Sequence, residues 1–271
     1  LSTLDTLMLE PVKYRSIFIS DVHLGTLDCQ SNLLLDFLES TECESLYLVG
    51  DIIDMQKLTN AVYWPKENSE LINLVFRKAK RGTRVVYIPG NHDAALRNYV
   101  GNHFNGVELK DEDVHVTAQG QRLLVIHGDC LDEVVGSMDW LVHLGDKLYC
   151  MIMVMNRYYL YVRRLFGYSY WSFSAFIKYK FKVAVKYIER FESAAARLSL
   201  ERGFDGIVCG HIHHPNKDDH GEVQYLNTGD WVEHCTALVE DETGQLFLIN
   251  WLEMKAMLER EKESFPDQRV A

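Results

Sequence analysis

The chain has 271 residues, enough to bury the core of one large α/β domain or of one domain carrying a sizeable insertion. Its 39 acidic against 28 basic residues give a net charge of -11, which argues against a general nucleic-acid binder, whose surface is dominated by cations. Six scattered cysteines (Cys29, Cys43, Cys130, Cys150, Cys209, Cys235) form no CxxC pair and no disulfide framework, so reduced thiols and a cytoplasmic setting are expected, without zinc held by thiolates. The opening residues lack the basic start and apolar run of a signal peptide, and no later apolar run is long enough to span a bilayer.

In chain order, short runs of β-branched and large apolar residues predict strands at Ser16–Ser20, Leu46–Val49, Arg84–Ile88 and Leu123–Ile126. Helical periodicity at Asn32–Glu39 and Glu67–Arg81 alternates with them, as in a layered α/β fold. Residues 137–202 read as inserted helices, with 15 of the 31 aromatic residues and eleven basic against five acidic side chains. A fifth strand is predicted at Gly206–Cys209. Val223–Asn227, Cys235–Val239 and Gln245–Asn250 then suggest a more hairpin-like second half, with a turn at Glu242-Thr243-Gly244. The expected organisation is a core of 14–136 and 203–255, a helical cap of 137–202, and a helix end and frayed tail over 256–271.

Five polar clusters follow the five predicted strands: Asp21-Val22-His23, Gly50-Asp51, Gly90-Asn91-His92-Asp93, His127-Gly128-Asp129 and Gly210-His211-Ile212-His213. In open α/β sheets the carboxyl ends of strands converge on one crevice, so these distant clusters can meet there. Asp21 with His23, and His211 with His213, are expected to point to one side of extended segments. Imidazole, carboxylate and amide oxygen together suit Mn, Fe or Zn, and a bridging water between two such ions would suit phosphoryl transfer, with Asp51 the natural shared carboxylate. Asp54 is read equally as a partner orienting a ligand and as a turn cap. His103, His115, His143, His220 and His234 are given no role.

The five blocks, in this order, resemble the calcineurin-like metallophosphoesterase superfamily from Ile17 to about His214. The resemblance implies a four-layer α/β/β/α sandwich of two facing sheets. It implies one metal on Asp21, His23, Asp51 and His213, and another on Asp51, Asn91, His127 and His211. It also implies that His92 is a general acid or a stabiliser of transition-state charge, oriented by Asp93. Within the superfamily, the chain is most similar to the UDP-2,3-diacylglucosamine hydrolases of lipid A synthesis, through its length, the cap-sized insertion and Asn227-Thr228-Gly229-Asp230-Trp231-Val232-Glu233. In those enzymes the residue after the metal-binding asparagine is arginine; here it is His92, as in the wider superfamily.

The resemblance thus implies hydrolysis of the pyrophosphate of UDP-2,3-diacylglucosamine or a similar acylated nucleotide sugar to UMP and a lipid sugar phosphate, with Mn as the first expectation. Lys178, Lys182, Lys186 and Arg190, four apart, read either as the solvated face of an amphipathic helix or as part of an anionic-substrate surface. Arg157, Arg163 and Arg164 among Tyr158, Tyr159 and Tyr161 are candidate substrate-binding residues, and such a surface admits peripheral contact with the inner membrane. The alternatives are a phosphodiesterase of cyclic nucleotides or nucleic acid, and a non-catalytic docking module on a metal-binding fold.

Overall fold

The computed structural model describes residues 11–59, 62–135 and 173–264. The chain divides into two compact units, Leu1–Asp129 with Ala195–Ala271, and Cys130–Ala194. The first unit carries both sheets. A seven-stranded sheet has the order β12-β11-β1-β2-β3-β5-β4, and a five-stranded sheet the order β6-β7-β8-β10-β9. In the first, β1 (Val12–Ile19), β2 (Thr41–Val49), β3 (Arg84–Ile88) and β5 (Val107–Leu109) run parallel. Strands β4 (His103–Phe104), β11 (Thr236–Glu240) and β12 (Leu246–Asn250) join them antiparallel.

Parallel neighbours need crossovers, and α1 (Ser31–Glu39) and α3 (Lys66–Lys80) supply the first two, with the one-turn α2 (Met55–Leu58) between them. The period of two then sorts each strand onto both faces. Ile17, Ile19, Leu46, Leu48, Val85 and Tyr87 pack with Leu34, Phe37 and Leu38 of α1 and Leu71, Leu74 and Val75 of α3. Phe18, Tyr47, Val49, Val86 and Ile88 face the other way, against Leu123, Val125, Val208 and Leu226 of the second sheet. Burial on both faces is why these strands read as unbroken apolar runs rather than as alternation.

The second sheet has β7 (Arg122–Val125), β8 (Gly206–Cys209) and β10 (Val223–Asn227) parallel at its centre. β6 (Asp113–Val116) and β9 (Asn216–His220) are its antiparallel edges. On its outer side Ala195 and Ser199 are fully buried, and Ser199 Oγ donates to the Gly206 carbonyl at 3.0 Å. On the far side of the other sheet Trp251 and Met254, in the helix Trp251–Ser264, join the cluster of α1 and α3. The layers are therefore α/β/β/α, as the resemblance implied.

Some expectations need correcting. The second half is hairpin-like as expected, but its two hairpins, β9–β10 and β11–β12, lie in different sheets, with Val223–Asn227 also pairing with β8. Strands β4, β5, β6 and β9 were not foreseen. They are two to five residues long, and β9 reads Asn-Lys-Asp-Asp-His, a polar, charged composition that suits an exposed sheet edge. The helix Phe173–Glu201 runs across the boundary of the two units. Arg157, Arg163 and Arg164 lie outside the described residues.

Candidate metal centre

All five polar clusters lie beyond the carboxyl ends of strands, after β1, β2, β3, β7 and β8, and the backbone there is unusual. Among the described residues seven non-glycine positions have positive φ, and five of them are Asp21 (51°), His23 (54°), Asp51 (52°), His211 (70°) and His213 (52°). Each costs on the order of 1–3 kcal/mol and persists only where neighbours hold it. This corrects the expectation of extended Asp21/His23 and His211/His213 pairs: it is left-handed turns that aim these side chains. The loops hold one another, with the N–H groups of Val22 and His23 donating to the Asp51 carbonyl at 3.0 and 2.9 Å. The His211 N–H donates to Asp21 Oδ2 at 2.9 Å, and the Trp231 N–H to the Asp21 carbonyl at 3.0 Å.

The side chains converge. His213 Nε2 stands 3.2 Å from Asp21 Oδ1 and 3.3 Å from His23 Nε2. His127 Nε2 stands 3.4 Å from Asp51 Oδ2 and 3.3 Å from Asn91 Oδ1. Asp51 Oδ2 is also 4.0 Å from His23 Nε2, so it sits between the two histidine sets, while its Oδ1 accepts the His92 N–H at 2.7 Å. The His211 ring lies edge-on to His127, with centroids 5.2 Å apart. His127 Nδ1 meets the Val49 carbonyl at 2.9 Å. A carbonyl only accepts, so Nδ1 carries the proton and Nε2 is left to face Asp51.

These residues fit divalent cations. Bonds of about 2.0–2.2 Å to a metal set neighbouring donors roughly 3–3.5 Å apart, the spacing found here. Asp21 Oδ1 is buried without a hydrogen-bond partner among the described residues. Burial raises the pKa of Asp21, but His213 and His127 outweigh it and hold the carboxyl below its ordinary range. Asp51 is also lowered, its hydrogen bond to His127 outweighing burial. Against the opposing effect of burial, Asp51 and Asp21 lift His127 to about 10, and Asp21 raises His213. The pocket thus draws in positive charge, and a cation would compete with these protons. Close approach also dictates glycine: a Cβ at Gly90 would strike Asp51 Oδ1 and His127 Nε2, and one at Gly210 would strike Ser20 and Asp21.

A sequence model of the calcineurin-like phosphoesterase family matches residues 14–215. The chain belongs to this family. It is a metal-dependent phosphoesterase, and divalent metal ions are its family's cofactors. The UDP-2,3-diacylglucosamine hydrolase of Aliivibrio fischeri (strain MJ11) is 27% identical over 246 residues, 82% of this chain and 92% of that protein. The protein of the same name from Psychromonas ingrahamii (strain DSM 17664 / CCUG 51855 / 37) is 25% identical over 252 residues, covering 87% and 96%. Among solved structures, the E. coli phosphoesterase Yfce aligns with 87% of this chain and 98% of its own, at 13% identity and a TM-score of 0.42. Among the described residues no helix of this phosphoesterase is long and apolar enough to cross a membrane.

Around the centre of this phosphoesterase, the role of one carboxylate differs from that expected. Asp93 does not orient His92. It is fully buried, accepting from Tyr87 Oη at 2.5 Å, Gly90 N–H at 2.5 Å and Ile52 N–H at 2.9 Å, so it ties the β2 and β3 loops together. Asp54 instead reaches His92 Nδ1 at 3.0 Å and His23 Nδ1 at 3.3 Å through Oδ2, while Oδ1 caps α2 by accepting the Lys57 N–H at 2.8 Å. Both readings of Asp54 hold at once. Sequence reasoning missed Asp230, which is buried. Its Oδ1 accepts the N–H groups of Val232, Glu233 and His234, and its Oδ2 meets His234 Nδ1 at 2.5 Å and lies 3.9 Å from His213 Nδ1. The Asn-Thr-Gly-Asp-Trp run was the available signal. Asp129 pairs with Arg97, which also donates to the Pro89 carbonyl.

Proposed function

We propose that the chain hydrolyses the pyrophosphate of UDP-2,3-diacylglucosamine or a close analogue, releasing UMP and a lipid sugar phosphate. The observation that carries this reading is the alignment of two hydrolase-named relatives along more than four-fifths of the chain. We assign Asp21, His23, Asp51 and His213 to one divalent cation and Asp51, Asn91, His127 and His211 to another, with Mn first in expectation and Fe or Zn as alternatives. Two such cations, when bound, polarise phosphoryl oxygens and acidify water.

The chain's own groups orient and move protons. Asp54 Oδ2 lies 3.0 Å from Nδ1 of His92 on the buried side of that ring, and its Nε2 is assigned to exchange a proton with the leaving oxygen or to meet its charge. The ring is 29% exposed and stands edge-on to His23, so it borders the open side of the centre. Residues 137–202 are assigned to the lipid-bearing end of the substrate, through Arg157, Arg163 and Arg164, with membrane contact at the same surface. The test is UMP release from UDP-2,3-diacylglucosamine in mixed detergent micelles by metal-reconstituted protein, beside bis-p-nitrophenyl phosphate. UMP formation far above diester turnover is expected. Diester cleavage without UMP rejects this substrate and retains the phosphoesterase.

A further inference from the structure

A histidine that offers Nε2 to a cation carries its proton on Nδ1, and the group that accepts this proton sets the plane of the ring. For His127 the acceptor is the Val49 carbonyl, 2.9 Å from Nδ1. For His23 it is Asp54 Oδ2, at 3.3 Å. His213 also turns Nε2 into the centre, and its Nδ1 faces Asp230 Oδ2 at 3.9 Å. Its side chain is 38% exposed, against 10% for His23 and 1% for His127, so of the three rings it has the least packing to hold it. Asp230 is fully buried and is not placed as a ligand itself. Its Oδ1 is occupied by the N–H groups of Val232, Glu233 and His234, and its Oδ2 lies between His234 and His213.

The run that carries Asp230 is fastened to both loops that bring His213 and its neighbours together. Toward the β1 loop, the Trp231 N–H donates to the Asp21 carbonyl and Ser20 Oγ to the Gly229 carbonyl, both at 3.0 Å. Toward the β8 loop, the Thr228 N–H donates to the Cys209 carbonyl at 2.9 Å and Asn227 Nδ2 to the Gly210 carbonyl at 2.8 Å. Gly229 makes the turn between these anchors at φ 76°, where a Cβ would strike Thr236 Oγ1. We infer that Asp230 is a positioning residue for His213: it accepts the Nδ1 proton, holds Nε2 toward Asp21 and His23, and so tightens one of the two cation sites and not the other. The gap of 3.9 Å is about 1 Å beyond a hydrogen bond, within reach of a side-chain rotation of this exposed ring. The inference rests on the assignment above of one cation to Asp21, His23, Asp51 and His213.

Titration of the metal-free full chain with Mn, read by calorimetry and by electron paramagnetic resonance, tests this without any substrate. Asp230→Asn keeps an oxygen for the three N–H groups and replaces the other with an amide that cannot accept the histidine proton. The unaltered chain is expected to take up two ions. Asp230→Asn is expected to hold one at the same affinity and the other roughly 10–100-fold more weakly, so that the spectrum of a coupled pair gives way to that of a single ion. Two ions held by Asp230→Asn at unchanged affinity overturn the inference, and so does equal weakening of both, which would make Asp230 a support of the whole fold. His234→Ala leaves Oδ2 to His213 alone; a loss equal to that of Asp230→Asn would assign the effect to the turn at 231–234 and overturn the inference. Should Asp230→Asn not fold, nitrogen NMR of the unaltered chain loaded with Zn decides. A proton on Nδ1 of His213 and metal on Nε2 are expected, and coordination through Nδ1 overturns the inference. Fewer than two Mn ions on the unaltered chain overturn the two-cation assignment and the inference with it.

Discussion

Two buried histidine–carboxylate pairs in the same unit have opposite characters. His115 on β6 meets Glu240 of β11 at 2.6 Å, and the rest of that pair is enclosed: Arg15 and the Ala118 N–H each reach Glu240 at 2.8 Å. None of these residues has a positive φ. His127 and Asp51 stand farther apart, at 3.4 Å; Asp51 is left-handed, and neighbouring Asp21 keeps a buried oxygen that faces His213 at 3.2 Å without a hydrogen bond of good geometry. The difference is what separates a structural pair from a binding site. The first has every polar atom occupied by the chain, whereas the second is strained, converging and incomplete, which is the arrangement that waits for a ligand.

The largest expected effect is at Asp51. Asp51→Ala should lower diester turnover by about 10³-fold or more and remove bound metal together, measured by kinetics and by metal content of the purified protein. Turnover that survives with depleted metal would sink the assignment. Glu240→Gln should leave metal content unchanged.

Asp54→Ser separates two functions of one residue. Serine still caps α2, so stability in urea should change by less than about 1 kcal/mol, while the lost contact with His92 and His23 should cost roughly 10–100-fold in turnover. A loss of stability with unchanged kcat would make Asp54 a cap alone.

The stability consequences should run the other way. Glu240→Ala leaves His115 and Arg15 without their partner and should cost about 3 kcal/mol in urea unfolding. Metal-free Asp51→Asn should lose much less, because asparagine tolerates the left-handed backbone and keeps an oxygen for the His92 N–H. Equal losses at the two positions would erase the distinction drawn between the pairs.

The smallest effect is a pH dependence. Burial raises the pKa of Glu240, but His115, the Ala118 N–H and Arg15 outweigh it, so its folded value lies below the ordinary 4.5. The unfolded chain therefore binds the proton more readily, and stability rises with pH across that window. The contribution is fully present above the ordinary value and is lost as pH falls through the lower folded one. Acid unfolding followed by circular dichroism should be correspondingly shallower in Glu240→Gln, and an identical slope would refute the linkage.

Much of this protein was legible in one dimension. Doubly buried strands leave continuous apolar runs, so β1, β2, β3, β7 and β8 could be found from composition. The polar clusters that end them gave every candidate ligand, because parallel strands deliver their carboxyl ends to one edge. The short edge strands were not legible, since pairing rather than propensity makes Asn216–His220 a strand. Sequence spacing also misled at Asp93, which was expected to orient His92. The nearer carboxylate in sequence turns beneath the loop toward Tyr87, and the farther one reaches His92 from α2.

What the sequence by itself determined is the alternation of buried strands and helices and the kinds of donor at their ends, because burial and side-chain chemistry act residue by residue. Only the tertiary structure decided which donors face one another. Left-handed turns at Asp21, His23, Asp51, His211 and His213 carry no mark in composition, and they persist because hydrogen bonds between loops far apart in the chain hold each one in place.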